Sequence, residues 1–305
     1  MEAYELLDDA LINGAKVAAH LKSRGLEKID VKTIRGQGGS TDFIKVFIPG
    51  KEGKERKAGA PTLGIIGRLG GIGARPERIG IVSDADGAIT AISCALKLAD
   101  MRNKGDILKG DIMIATHICP NAPTQPHDPV PFMGSPVDMQ EMNNHEVDPE
   151  MDAILSVDAT KGNRIINYRG IAITPTVKEG YILRISEDLL DLLTWTTGKP
   201  PRVTPITTQD ITPYGNGLFH VNSIMQPCTA TSSPVVGVAI TAETTVPGCG
   251  TGANQEIDIE EAARFCLEVA KAFTEKKCRF FNEEEFERMV QLYGRLNVLQ
   301  TLGGI

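Results

Sequence analysis

Three short apolar runs in this sequence each end on residues that can hold a cation or move a proton. Ile79–Val82 leads into Ser83-Asp84-Ala85-Asp86-Gly87, Asp111–Ala115 into Thr116-His117, and Ala153–Val157 into Asp158. Carboxylate oxygens together with a neutral imidazole suit a divalent ion, zinc first and manganese or cobalt next. Such an ion, held by Asp84, His117 and Asp158 with Asp86 or His127 as fourth ligand or base, acidifies a bound water enough to attack an amide or ester. Thr116 and His127 join His117 as candidate catalytic groups, because polar residues in loops at strand ends are disproportionately functional. Plainer readings stand beside these: Asp84 and Asp86 can cap a helix, and His117 can be a hydrogen-bonded structural residue.

Several loops carry groups suited to a substrate. Gly67-Arg68-Leu69-Gly70-Gly71-Ile72-Gly73-Ala74-Arg75-Pro76 offers two guanidiniums, and Arg68 and Arg75 can fork a carboxylate. Lys161 and Asn163 follow Asp158, and Asn216 lies in Gln209-Asp210-Ile211-Thr212-Pro213-Tyr214-Gly215-Asn216-Gly217, although tight-turn chemistry alone explains the Gly and Asn there. The loops contain neither a phosphate-binding G-x-x-x-x-G-K-[ST] pattern nor a G-x-S-x-G nucleophile elbow. Three functions follow. The leading one is a metal-dependent hydrolase of a small amide, peptide-like or carboxylated substrate. The alternative is a metal-free small-molecule binding protein with an anion pocket of Arg68, Arg75 and Lys161. A weaker third is metal-free acid–base chemistry on His117 and Cys119.

Strands must bring these residues to one rim. Thr62–Ile66, Ile79–Val82, Asp111–Ala115, Ala153–Val157 and Val235–Ile240 read as strands buried on both faces. Ile171–Ile173, Leu183–Ile185 and Val203–Ile206 follow the same style. Residues 4–24, Ala88–Met101, Glu187–Thr194, Leu218–Met225 and Asp258–Phe273 read as helices. Buried strands interleaved with helices mean a three-layer α/β/α architecture with a mostly parallel, mixed central sheet, in which ligands bind beyond the carboxyl ends of the strands. One domain over residues 1–305 is expected, with a Pro-rich loop or flap at 121–149.

The 305 residues carry 32 basic and 39 acidic side chains, a net charge of −7, which argues against a nucleic-acid partner. The acidic N-terminus and the lack of a long apolar run argue against a membrane partner and for a cytoplasmic protein. The six cysteines form no C-x-x-C pair, and reduced thiols are expected.

Arg68–Glu77, Val82–Ala88, Thr160-Lys161-Gly162-Asn163 and Gln209–Tyr214 resemble the bacterial domain-of-unknown-function 1177 family, a likeness that spans most of the chain and implies no assigned activity. More distantly, the order of Asp84, Thr116-His117 and Asp158 resembles the co-catalytic zinc exopeptidases. That resemblance implies a zinc-exopeptidase-like fold, with Asp84 in the metal-bridging place and Asp158 in the later carboxylate place. It also implies a homo-oligomer. Thr116-His117 stands where that group has a glutamate pair, and Arg68 near its first histidine ligand. No histidine lies around Gly250–Gly252, where its last would be.

Overall fold

Buried along nearly their whole length, the apolar runs Leu63–Gly67, Ile112–Ile118, Ala153–Thr160 and Val235–Thr241 lie side by side and parallel at the centre of the structure. The structure is a computed structural model that describes residues 1–36, 39–68, 80–120, 122, 124–126, 128, 132–213 and 223–300. Its elements begin with α1 (Glu2–Leu7), α2 (Gly14–Ser23), β1 (Ile29–Gly36), β2 (Gly39–Ile48), β3 (Leu63–Gly67), α3 (Asp86–Asn103) and β4 (Ile112–Ile118). A small hairpin of β5 (Thr124–Gln125) and β6 (Phe132–Met133) precedes α4 (Met139–Glu146) and β7 (Ala153–Thr160). Then come β8 (Gly170–Ile173), β9 (Val177–Lys178), β10 (Tyr181–Ile182), α5 (Glu187–Thr197), β11 (Val235–Thr241), α6 (Glu256–Thr274) and α7 (Glu283–Tyr293).

Among the described residues nine strands form one mixed sheet in the order β1-β2-β4-β3-β7-β11-β9-β10, with β8 also paired to β11. Strand alternation sorts the core into two layers. Leu63, Ile65, Ile112, Ile114, Leu155, Val157, Val236 and Val238 pack toward α3 and α6. Ile66, Met113, Ala115, Ile154, Val235 and Ala239 face the opposite way, toward Ile211, Ile224, Met225 and Cys228 of two 3-10 segments. The three-layer mixed α/β architecture expected from the sequence is therefore present.

From β3 the chain passes through α3 to β4 on one side, then through α4 to β7 on the other. The strand order reverses at β3, and in sheets of this kind such a reversal opens a crevice at the carboxyl ends. The first turn of α3 lies close against the backbone at the ends of β3 and β7. A Cβ on Gly87 would lie 2.5 Å from the Arg68 carbonyl oxygen and 2.6 Å from that of Val157.

Several expected elements differ. Of the strand expected at Ile79–Val82, Ile79 lies outside the described residues and Gly80–Val82 form no strand: Val82 makes one bridge to Thr251, and the 3-10 turn Ser83–Ala85 follows. A short apolar run need only be buried, and Ile81 and Val82 meet that demand as loop. The helix expected over residues 4–24 breaks between α1 and α2, where the Asn13 side chain caps the second by accepting from the Lys16 N–H. Of Val203–Ile206, Val203 makes one bridge, to Ile173. The strand expected at Leu183–Ile185 is instead the two-residue β10 just before it. The helix expected at Leu218–Met225 is, over its described part, the 3-10 segment Ser223–Thr229, which contains Pro227. Among the described residues no helix is long and apolar enough to cross a membrane.

Gly87→Ala forces α3 away from β3 and β7. It should lower unfolding stability by about 2 kcal/mol, within the ordinary range for overpacking a close contact. Urea denaturation of the wild type and variant measures this.

Candidate functional site

Register fixes the geometry of the carboxyl edge. Gly67 pairs with Thr116 on one side and with Val157 on the other. The next residue of each strand is therefore level with its neighbours, which places His117, Arg68 and Asp158 in one row at the carboxyl edge. Alternation points Thr116 to the α3 face, where its hydroxyl donates to the Gly67 carbonyl at 2.9 Å. His117, Arg68 and Asp158 turn to the face covered by α4 and the segment Ser223–Thr229.

Arg68 occupies the middle of the row and is wholly buried. Its Nη1 donates to Glu146 at the end of α4 and to Asn143 Oδ1 at 3.2 Å, and its Nη2 contacts the Met139 sulfur. The other Glu146 oxygen lies 2.5 Å from His117 Nδ1. Burial works to raise the Glu146 pKa, but the charges of Arg68 and His117 and their hydrogen bonds outweigh it and hold it below the ordinary carboxylate range. Phe43 of β2 packs beside the His117 ring at 5.3 Å between centroids.

Asp158 ends the row on the other side. Its Oδ2 accepts from Ser223 Oγ at 2.6 Å, while Oδ1 is buried without a partner among the described residues. Burial first, then the negative charge of Asp84, pushes its pKa up to about 7, against the pull of Ser223, Arg68 and the Ala159 backbone. Asp84 approaches from the 3-10 turn before α3, with the Gly248 backbone against its carboxylate. A Cβ there would lie 2.3 Å from Oδ2, so only glycine fits. Burial and the charge of Asp86 raise Asp84 to about 6, against a hydrogen bond from the Met133 backbone and the charge of Lys161.

Asp86 does not cap α3 with its side chain. It accepts from Lys161 Nζ at 2.5 Å and from Asn254 Nδ2 at 2.6 Å. Burial nonetheless leaves its pKa raised. Four carboxyls thus meet two permanent cations: Arg68 matches Glu146 and Lys161 matches Asp86. Asp84 and Asp158 have no ion pair of their own among the described residues.

The structure thus brings Asp84, Asp158, His117, Arg68, Asp86 and Lys161 to one end of the sheet, but not as a single ligand sphere. His117 is turned to Glu146 and Asp86 to Lys161. Among the described residues no group of three or more His, Cys, Asp or Glu side chains converges on one point. Arg68 is not presented as an exposed fork for a substrate, because a protein carboxylate already fills it. Asn163 shapes a turn, its side chain accepting from the N–H groups of Ile165 and Ile166. Asp210 closes a capping box with Thr207, and the Cys119 thiol donates to the Ser40 carbonyl at 3.6 Å. Arg75, His127, Asn216, His220 and Asn222 lie outside the described residues. Glu146, Asn143, Ser223, Asn254 and Gly248 were not anticipated. A glutamate closing a polar helix has no pattern that marks it as buried, and the glycine requirement depends on a carboxylate 164 positions earlier (248 − 84).

The two unmatched carboxyls set a pH dependence. Each has an ordinary value of 3.8 and a raised value in the fold, so the fold holds protons that the unfolded chain has released. Their stabilising contribution is complete below that ordinary value and is lost as pH rises through about 6 and about 7. The slope is at most about 1.4 kcal/mol per pH unit for each group. Asp158→Asn should flatten the upper part of this fall, as read from denaturation midpoints between pH 5 and pH 8.

Residues 32–303 match a family described as a protein of unknown function, DUF1177. No curated protein matches the chain.

Proposed function

The chain belongs to the DUF1177 family, and we propose that it is a metal-dependent hydrolase of a small amide, peptide-like or carboxylated substrate. The observation that carries this reading is the pair of carboxyls, Asp84 and Asp158, left without an ion pair among the described residues at the strand-order reversal of the sheet. Carboxylates close enough that the charge of Asp84 raises the pKa of the buried Asp158 are relieved by taking up protons or by sharing a cation. One divalent ion satisfies both charges together and uses the buried, unpartnered Asp158 Oδ1.

Asp84 and Asp158 would hold the ion, and hard carboxylate oxygens suit zinc, manganese and cobalt. When bound, such an ion supplies a water acidic enough to be a nucleophile near neutral pH. The rest of the chemistry belongs to the chain. Ser223 fixes Asp158 through Oδ2, which leaves Oδ1 as the oxygen directed to a ligand. The Gly248 backbone fixes Asp84, whose N–H donates to the Gly248 carbonyl at 3.3 Å. Lys161, tied to Asp86, keeps a positive charge near Asp84, where negative charge developing on a substrate oxygen would be stabilised. The resemblance to the zinc exopeptidases favours the same two aspartates, with Thr116-His117 serving a structural role in place of that group's glutamates.

Calorimetric titration of chelator-stripped protein with Zn²⁺, Mn²⁺ and Co²⁺ at pH 8 tests the proposal. One ion per chain should bind, and at 100 times Kd it should add about 2.7 kcal/mol of stability. Asp158→Asn and Asp84→Asn should each weaken binding at least ten-fold, and amine release from small amides should depend on the ion. Absence of saturable binding by all three ions would overturn the metal reading and favour a metal-free binding protein.

A further inference from the structure

The row at the carboxyl edge contains a second feature that metal binding does not use. Arg68 Nη1 and His117 Nδ1 converge on the two oxygens of one carboxylate, that of Glu146, at a place where neither the guanidinium nor the carboxylate has access to water. A guanidinium and an imidazole closing on a carboxylate from two sides are the components of a ligand-carboxylate site. They lie at the strand-order reversal, where small ligands enter sheets of this kind. Here the occupant comes from the chain itself.

We propose that Glu146 is an internal occupant of a ligand-carboxylate seat made by Arg68 and His117, and that small carboxylic acids bind by displacing it together with α4. Three observations support the exchange. First, Glu146 leaves the seat partly unused: Arg68 Nε is buried and without a partner among the described residues. A free carboxylate is not tied to a helix and can take Nε and Nη together, the side-on geometry that guanidinium favours.

Second, α4 is held by polar bonds more than by apolar packing. Of its eight residues Met142, Asn143 and Glu146 are buried. Asn143 donates to the Gln226 carbonyl and to Thr229 Oγ1, and it accepts from Arg68. Polar anchors can be exchanged for water when the helix lifts, and the apolar contacts given up are chiefly those of Met142, of Val147 and of His145 on the Phe43 ring. Third, removing the charge of Glu146 while the seat stays dry strands the Arg68 guanidinium, so a ligand carboxylate that enters restores the lost pairing. The helix is therefore an autoinhibitory cover that a carboxylated ligand opens, and Arg68 then takes the substrate-holding role its position in the sequence suggested.

This inference deepens the carboxylated-substrate part of the proposed function and rests on that part, but it requires no metal. The test uses the full-length chain, with and without EDTA, and succinate and acetate as probes against sodium chloride at matched ionic strength. Glu146→Gln keeps the shape of the occupant but removes its charge, so succinate should bind this variant at least ten-fold more tightly than wild type. Arg68→Lys in the same background should abolish the gain. In the wild type, saturating succinate should speed amide hydrogen exchange over residues 139–147. Glu146→Asp, whose shorter carboxylate is withdrawn from the seat, gives the same readout should the glutamine variant fail to fold. The proposal is overturned if these variants bind succinate no more tightly than wild type, or if α4 exchange does not respond. Persistence of the gain in EDTA separates this result from any failure of metal binding.

Discussion

A guanidinium buried at the point where strand order reverses must have a carboxylate, and much of this molecule's functional end follows from that demand. Arg68 follows β3 directly and has no route to solvent. Its charge draws Glu146 to the sheet, Glu146 fixes the end of α4, and the remaining Glu146 oxygen sets the ring of His117. The pairing also decides what is left over. With Arg68 assigned to Glu146 and Lys161 to Asp86, this end of the sheet keeps two carboxyls, Asp84 and Asp158, with no ion pair of their own among the described residues.

An unequal distribution of charge in a buried place shows where chemistry can be done. A paired carboxylate is stable and inert, whereas a pair of raised-pKa carboxyls is poised near neutral pH and responds to any cation or proton supplied. The crevice has both kinds, separated by the width of β3. On the proposed reading, the matched side, with Glu146 and His117, would recognise a carboxylate, and the unmatched side, with Asp84 and Asp158, would hold an ion. A small substrate with a carboxylate at one end and a hydrolysable bond a short distance away would meet both sides at once.

The central strands were legible because a run buried on both faces leaves little room for polar residues. The expected ranges of β3, β7 and β11 fall within one residue of the observed ones at the start of each strand. The position of Arg68, His117 and Asp158 in one row was legible for the same reason, since a polar residue that ends such a run stands at the sheet edge. Two things were hidden. Ile79–Val82 has the composition of a buried strand, but its described residues, Gly80–Val82, form no strand, so Asp84 reaches this end of the sheet from a 3-10 turn and not from a strand exit. Arg68 reads as an exposed fork because arginine is rarely fully buried. Its burial depends on Glu146, 78 residues later in a helix with little apolar pattern. Long-range charge pairing leaves no local signature.

The central claim is that Asp84 and Asp158 share one electrostatic environment. Carbon-13 NMR titration of the aspartate side-chain carboxyls tests it most directly, with the Asp158 resonance assigned by its loss in Asp158→Asn. Asp158 should titrate at about 7 in the wild type and at a clearly lower pH in Asp84→Asn, where the neighbouring negative charge is gone. A titration near the ordinary aspartate value in the wild type, or one that Asp84→Asn leaves unmoved, would contradict the account.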